Sequence, residues 1–206
     1  MAITFPLSLP ATPGFSRLTF KPFVVAGGSP STFTKQQQSY LYPGEGWALS
    51  ATLPPMKRLL VEPWICFLLA LRGKSGSFLF GSSTWATPQG IATGTPLVRG
   101  AGQIGTVLLT DGWTASQTGI LKAGDMIQLG TGTTQRIYKS LLDVNSDGSG
   151  IASIDLFPRL RESPADNAAV TISSCKGAFR LANNQPTWDI DTACIYGIGF
   201  EAEEAL

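Results

Sequence analysis

Histidine is absent from this 206-residue chain. Its absence removes Ser-His-Asp and Cys-His catalysis, histidine acid–base work and most catalytic zinc sites. Charge is scarce as well. Lys and Arg total 15, Asp and Glu total 14, and together they make only 14% of the chain, against roughly 25% in an ordinary soluble protein. The net charge of +1 leaves no basic excess of the kind nucleic-acid binders carry, so no sequence-specific nucleic-acid partner is expected. A low-charge surface on a folded chain implies that part of it is covered by partner chains. Long apolar runs are missing too. "WICFLLAL" is far shorter than the roughly 20 residues that span a bilayer, so no membrane insertion is expected. The opening "MAITFPLSLPATPGF" lacks a basic start, and Pro6, Pro10 and Pro13 break its apolar run, so no targeting signal is expected. Cysteine is limited to Cys66, Cys175 and Cys194, an odd number without metal spacing. Free thiols in a reducing compartment follow, with Cys66 and Cys194 expected to be buried.

What is present reads mainly as strand. "RLTFKPF" sets Leu18 and Phe20 against Arg17, Thr19 and Lys21, while "GWALSATL" places Trp47, Leu49, Ala51 and Leu53 on one face. "CIYGIGFEAE" does the same for Cys194, Tyr196, Ile198 and Phe200. Period two predicts half-buried strands. "FRLANNQPTWDI" predicts a hairpin bending at Asn183 and Asn184. One helix is predicted in "LLVEPWICFLLALRG". Pro63 belongs in its first turn, Glu62 at its positive end, Gly73 at its left-handed stop, and Trp64, Phe67, Leu68 and Leu71 on its core face. "GSSTWATPQGIATGTP" is a connector. Beyond it, short strands separated by turn signals predict a small barrel or sandwich.

Several motifs imitate functional sites. "DVNSDGSG" opens like a calcium loop, with Asp143, Asn145 and Asp147 at positions 1, 3 and 5. Position 12 is Ile154 where a bidentate Glu is required, and strand-like flanks replace the helices. A hairpin turn is the expectation, with no calcium requirement. "GAGQIG", Gly100 to Gly105, spells the dinucleotide fingerprint, but the following "TVLLTDG" is not a helix. "GKS", Gly73 to Ser75, follows a helix instead of preceding one, and Leu68 occupies the first glycine position of a phosphate loop. "KAGD", Lys122 to Asp125, is a tight turn. Glu201, Glu203 and Glu204 are expected to be a solvated chain end. No carboxylate pair stands out for glycoside cleavage. No catalytic, cofactor-binding or metal-ligating residue is therefore assigned. The chain is not expected to be an enzyme or to need a cofactor.

The order of landmarks resembles the distal tail proteins of long-tailed bacteriophages. The likeness runs nearly end to end through "STFTKQQQSYLYPGEGWALSATLPPM", "PWICFLLALRGKSGSFLFGSSTW", "GILKAGDMIQLG", "RIYKSLLDVNSDGSGIASIDLFPRLR", "PADNAAVTI" and "GAFRLANNQPTWDI…YGIGFEAEEAL". The resemblance implies a mainly β fold with one α-helix. A β-barrel-like belt would be built from about 1–90 and a C-terminal return at 175–206, with a small β-barrel or sandwich module inserted at 91–174. It also implies a virion structural protein at the tail tip, or baseplate, made in the host cytoplasm. Six copies would close into a hexameric ring between the tail tube protein and the hub and other tail-tip proteins. The alternatives are a β-rich carbohydrate-binding module at a virion surface, with Trp85, Trp113 or Tyr138 stacking on sugars, and another tail structural protein, a tube or completion protein.

Overall fold

The computed structural model describes residues 3–206. Strands hold 42% of the residues and helices 11%, with a single α-helix among the described residues, so the fold is the mainly β type expected. In chain order the first elements are β1 (Leu7–Ser8), β2 (Arg17–Phe23), β3 (Ala26–Pro30), β4 (Gln37–Leu41), β5 (Gly46–Thr52), β6 (Met56–Lys57), α1 (Arg58–Ala70) and β7 (Phe78–Phe80). There follow β8 (Gly94–Val98), β9 (Gly105–Trp113), β10 (Met126–Leu129), β11 (Arg136–Ser140), β12 (Ala152–Leu160), β13 (Gly177–Leu181), β14 (Thr187–Ile190) and β15 (Ile195–Glu204).

The long strand β15 organises the larger sheet, ordered β1-β7-β13-β15-β5-β2. Along one side β15 pairs with β13 and then β14, and along the other with β5 and then β6. The expected hairpin at Asn183–Asn184 does not form. β13 and β14 run in the same direction along β15, and residues 183–186 are an excursion between them. Pro186 has no N–H to give a ladder, which suits an interruption. Asn184 has a different job: its Oδ1 accepts the backbone N–H of Lys74 at 3.0 Å and so ties the excursion to the end of α1.

The smaller sheet, β10-β11-β12-β9-β8, is curled and has a gap between its two edge strands. Residues 167–171 fill the gap. Asn167 N–H donates to the Val98 carbonyl and Val170 N–H to Pro96 on one edge, and Thr171 and Gln128 exchange two hydrogen bonds on the other. The closed edges leave no long unpaired strand in this barrel. "GAGQIG" lies in the β8–β9 hairpin, where Gly100, Gly102 and Gly105 all have positive φ and no helix follows.

Two cores result. The first is aromatic: Trp47, Leu49, Ala51 and Leu53 of β5 and its extension, Phe78 and Phe80, Phe179, Ile198 and Phe200 meet the inner face of α1. Alternation along β5 and β15 is as expected. Trp64 is fully buried, and its Nε1–H donates to the Thr12 carbonyl at 3.2 Å, so its polar end is satisfied. The second core fills the barrel with Leu108, Ile120, Leu121, Ile127, Tyr138 and Ile154. The barrel also feeds the first core, through Met126 and Ile137.

Helix α1 departs from expectation in detail. It starts at Arg58, so Pro63 lies inside it instead of in the first turn, and Glu62 pairs with Arg58 at 2.9 Å instead of serving the N-terminus. The missing Pro63 N–H costs the carbonyl four residues back, that of Leu59, whose side chain is 87% exposed. Left-handed backbone begins at Arg72 (φ 49°) and continues through Gly73 (φ 67°).

The cysteines are unpaired, as expected, but only Cys175 is buried. Cys66 is exposed because α1 is apolar on its outer side too, where Leu59, Leu60, Cys66 and Leu69 face out. Cys194 precedes β15 at a turn with φ 57°, outside the alternation that was expected to bury it. Burial pushes the Cys175 thiol up to about 12. In the native protein, a thiol reagent at neutral pH should therefore label two cysteines quickly, and the third only after denaturation. Three fast thiols would show that the first core opens. Fewer than three after full denaturation would reveal a disulfide.

Candidate assembly surface and the joint between the cores

The loops that imitate sites are spent on holding the barrel together. Asp143 accepts from Ala123 N–H and pairs with Lys122 at 2.7 Å, Asn145 accepts from Gly119 N–H, and Asp147 Oδ1 accepts from Ser149 and Ile151 N–H. These bonds hold the Asp143 and Asp147 carboxyls below the usual carboxylate range. Gly150, at φ 73°, lets the turn pass against the Trp113 carbonyl, where a side chain would collide. Millimolar calcium or a chelator should leave the melting temperature unchanged. Asp147→Ala should lower it by only about 2–3 °C, because the bonds it makes are at the surface. A calcium-dependent rise of several degrees would contradict this assignment.

"KAGD" is more than a turn. Asp125 is buried, and its carboxylate accepts N–H bonds from Gln89 at 2.7 Å, Gly90 at 3.0 Å and Lys122 at 2.8 Å. It pins the connector to the barrel.

A second buried group lies where the two cores meet. Glu204 was expected to be solvated and is 3% exposed. It is one step further along the alternation Ile198, Phe200, Ala202, and so points inward. Its Oε2 accepts from Trp47 N–H and from the Arg161 guanidinium. Arg161 Nε donates to the Glu45 carbonyl, and the Glu45 carboxylate accepts from Arg159 N–H at 2.9 Å. Arg161 also stands over the Tyr138 ring, 5.4 Å from its centroid. Trp47 Nε1–H donates to the Ile137 carbonyl at 3.1 Å, and its ring meets Phe157 edge-on at 5.1 Å. Burial pushes the Glu204 carboxyl up to about 7, against the opposing pull of Arg161 and Arg136. Among the described residues, Glu204 Oε1, Arg136 Nε and Arg161 Nη1 find no protein partner. The cluster joins β15, the end of β12 and β11, and so forms a joint between the two cores.

The barrel is thus coupled to the larger sheet. Removing residues 91–174 would strip Met126, Ile137 and Phe157 from the first core and Arg161 from Glu204. That deletion would therefore disturb the first core as well.

Among the described residues, two features face outward without a partner. The β3–β4 hairpin pairs only with itself, and every one of its ten strand residues except Gly27 is exposed. Val24, Val25, Tyr40, Leu41 and Tyr42 along it are exposed, and Phe33 at its turn is 96% exposed. Near its root lies an apolar groove of about 640 Å³, walled by Phe20, Trp47 and Trp85 from one side and Leu141 and Phe157 from the barrel. Of the three aromatic residues considered for sugar stacking, Trp113 and Tyr138 are buried in the barrel core, and only Trp85 reaches this groove. No family model matches the chain, and no curated protein matches it either.

Proposed function

We propose that this chain is a structural subunit of the tail tip of a long-tailed bacteriophage, a virion component of the distal tail protein kind. It closes into a ring, joins the tail tube to the hub and receptor-binding parts, and works by contact instead of catalysis. The observation that carries this reading is the unpartnered β3–β4 hairpin with its aromatic and aliphatic flank in water. A surface of that kind is costly on a monomer and characteristic of an interface. Low charge supports the same reading, and six as the number of copies comes from the sequence resemblance alone. A ring needs a heterologous contact, one surface meeting a different one on the next copy, and a projecting arm suits that geometry.

Gold-labelled antibodies against the chain, applied to virions whose genome encodes it, should mark the distal end of the tail. Label along the whole tail would favour a tube protein instead. Label on the head, or none on the particle, would contradict the proposal.

A further inference from the structure

We propose that the tip of the β3–β4 hairpin, centred on Phe33, docks into the apolar groove between the two cores of a second copy of this chain. The inference rests on the ring reading and names the two surfaces that meet.

The hairpin itself supplies the first argument. A two-stranded ribbon without a third strand or a covering element is marginally stable in water, and among the described residues β3–β4 has neither. Its turn is held by local bonds only, Ser31 N–H to Gln36, Lys35 N–H to Ser31 and Thr34 N–H to Ser31 Oγ. The six large apolar residues from Val24 to Tyr42 are each about half exposed or more, a contiguous run of apolar surface of the kind that marks an interaction site. Phe33 at the apex is the most exposed of them, a position suited to an anchor that fills a pocket on another surface.

The groove supplies the complement. Its walls are aromatic: Phe20 stacks on Trp47 at 4.6 Å and approaches Trp85 at 5.2 Å, and Phe157 stands edge-on to Trp47. Ring edges and faces left open in this arrangement can take one more ring in offset or edge-to-face contact. A volume of about 640 Å³ holds a phenyl group with the apolar parts of its neighbours.

Geometry then selects a second copy over the same one. Val24 at the root of the hairpin itself lines the groove. The paired strands carry Phe33 about 20 Å away from that root, at about 3.3 Å per residue. The tip therefore cannot return to its own groove without breaking the ladder. Root and tip are different surfaces, so the contact is heterologous and propagates from copy to copy, as a ring requires.

Charge separates this contact from a steered one. Lys35 is the only charged residue of the tip and Lys139 the only one in the groove. The attraction is apolar, and added salt should leave it unchanged or strengthen it.

The test uses the full chain with Cys66→Ser and Cys194→Ser, which removes the exposed thiols. Adding Thr32→Cys, beside the retained Phe33, and Leu141→Cys, both at exposed positions, should give a ladder of intermolecular disulfides on mild oxidation that ends at the ring size. Either cysteine alone should stop at a dimer or less. Phe33→Ala, which removes no core contact, should weaken association in sedimentation experiments by at least about tenfold while the melting temperature of the monomer stays put. If the parent chain forms rings, but Phe33→Ala forms them equally well or the cysteine pair gives no ladder, the docking is wrong and the ring reading stands. A parent chain that neither assembles in concentrated solution nor occurs as a ring in tails overturns both.

Discussion

Arg161→Ala should cost about 3–5 kcal/mol of stability, the largest effect of any single polar substitution in the chain. The substitution leaves the Glu204 carboxylate buried beside Trp47 without its charged partner, and it opens the lid over Tyr138. Taking a carboxylate out of water costs several kcal/mol, which only a well-placed cation offsets. The melting temperature should fall by about 10 °C, given roughly 2–4 °C per kcal/mol at this chain length. A matched apolar pair, Arg161→Met with Glu204→Leu, should recover part of the loss, because it removes two buried atoms that lack a partner while leaving Trp47 N–H without its acceptor. A loss under 1 kcal/mol for Arg161→Ala would mean that water reaches the joint.

The same carboxylate predicts a pH dependence. Burial makes the folded protein hold the Glu204 proton more tightly than the unfolded chain, where a glutamate titrates near its ordinary 4.5. The folded form is therefore favoured most below pH 4.5 and loses that margin as the pH rises to about 7. The contribution is on the order of 3 kcal/mol. It should vanish in Glu204→Gln when variant and parent are compared by denaturant unfolding at pH 5 and pH 8.

Asp125→Ala should cost about 3 kcal/mol, because three backbone N–H groups lose their acceptor at once. Those of Gln89 and Gly90 belong to the connector, so the damage has a location as well as a size. Limited proteolysis should cut near 86–93 in the variant and spare the parent. Asp125→Asn keeps one acceptor oxygen but turns an amide N–H₂ toward the remaining donors, so it should fall between the two. Equal protease resistance in parent and Asp125→Ala would show that the connector is held by something else.

Much of the larger sheet was legible because β5 and β15 alternate cleanly. Trp47, Leu49 and Ala51 turn inward, and so do Ile198, Phe200 and Ala202. The same rule carried one residue further places Glu204 inward. Three glutamates near a chain end suggested solvent, and nothing local pointed to Arg161, 43 residues away. The excursion at 183–186 was misread because alternation looks alike whether a chain turns back or goes on along the same neighbour. Cys66 was misplaced because α1 is apolar on both sides, so its pattern gave no inner face at that position. Barrel closure by residues 167–171 rests on two isolated bridges and a few backbone bonds, which leave no periodic trace in the sequence. The importance of Asp125 was hidden for a related reason: its partners are backbone amides, which any residue can supply. The groove could not be foreseen at all, since its walls come from five separated stretches of chain.

The central claim is that this chain closes into a ring. Its most direct test is electron microscopy of the concentrated, purified protein beside tails from virions that contain it. Closed, six-fold rings are expected in at least one of the two settings, with the chain at the tail tip. A strictly dimeric particle in both settings, or a tail tip without this chain, would contradict it.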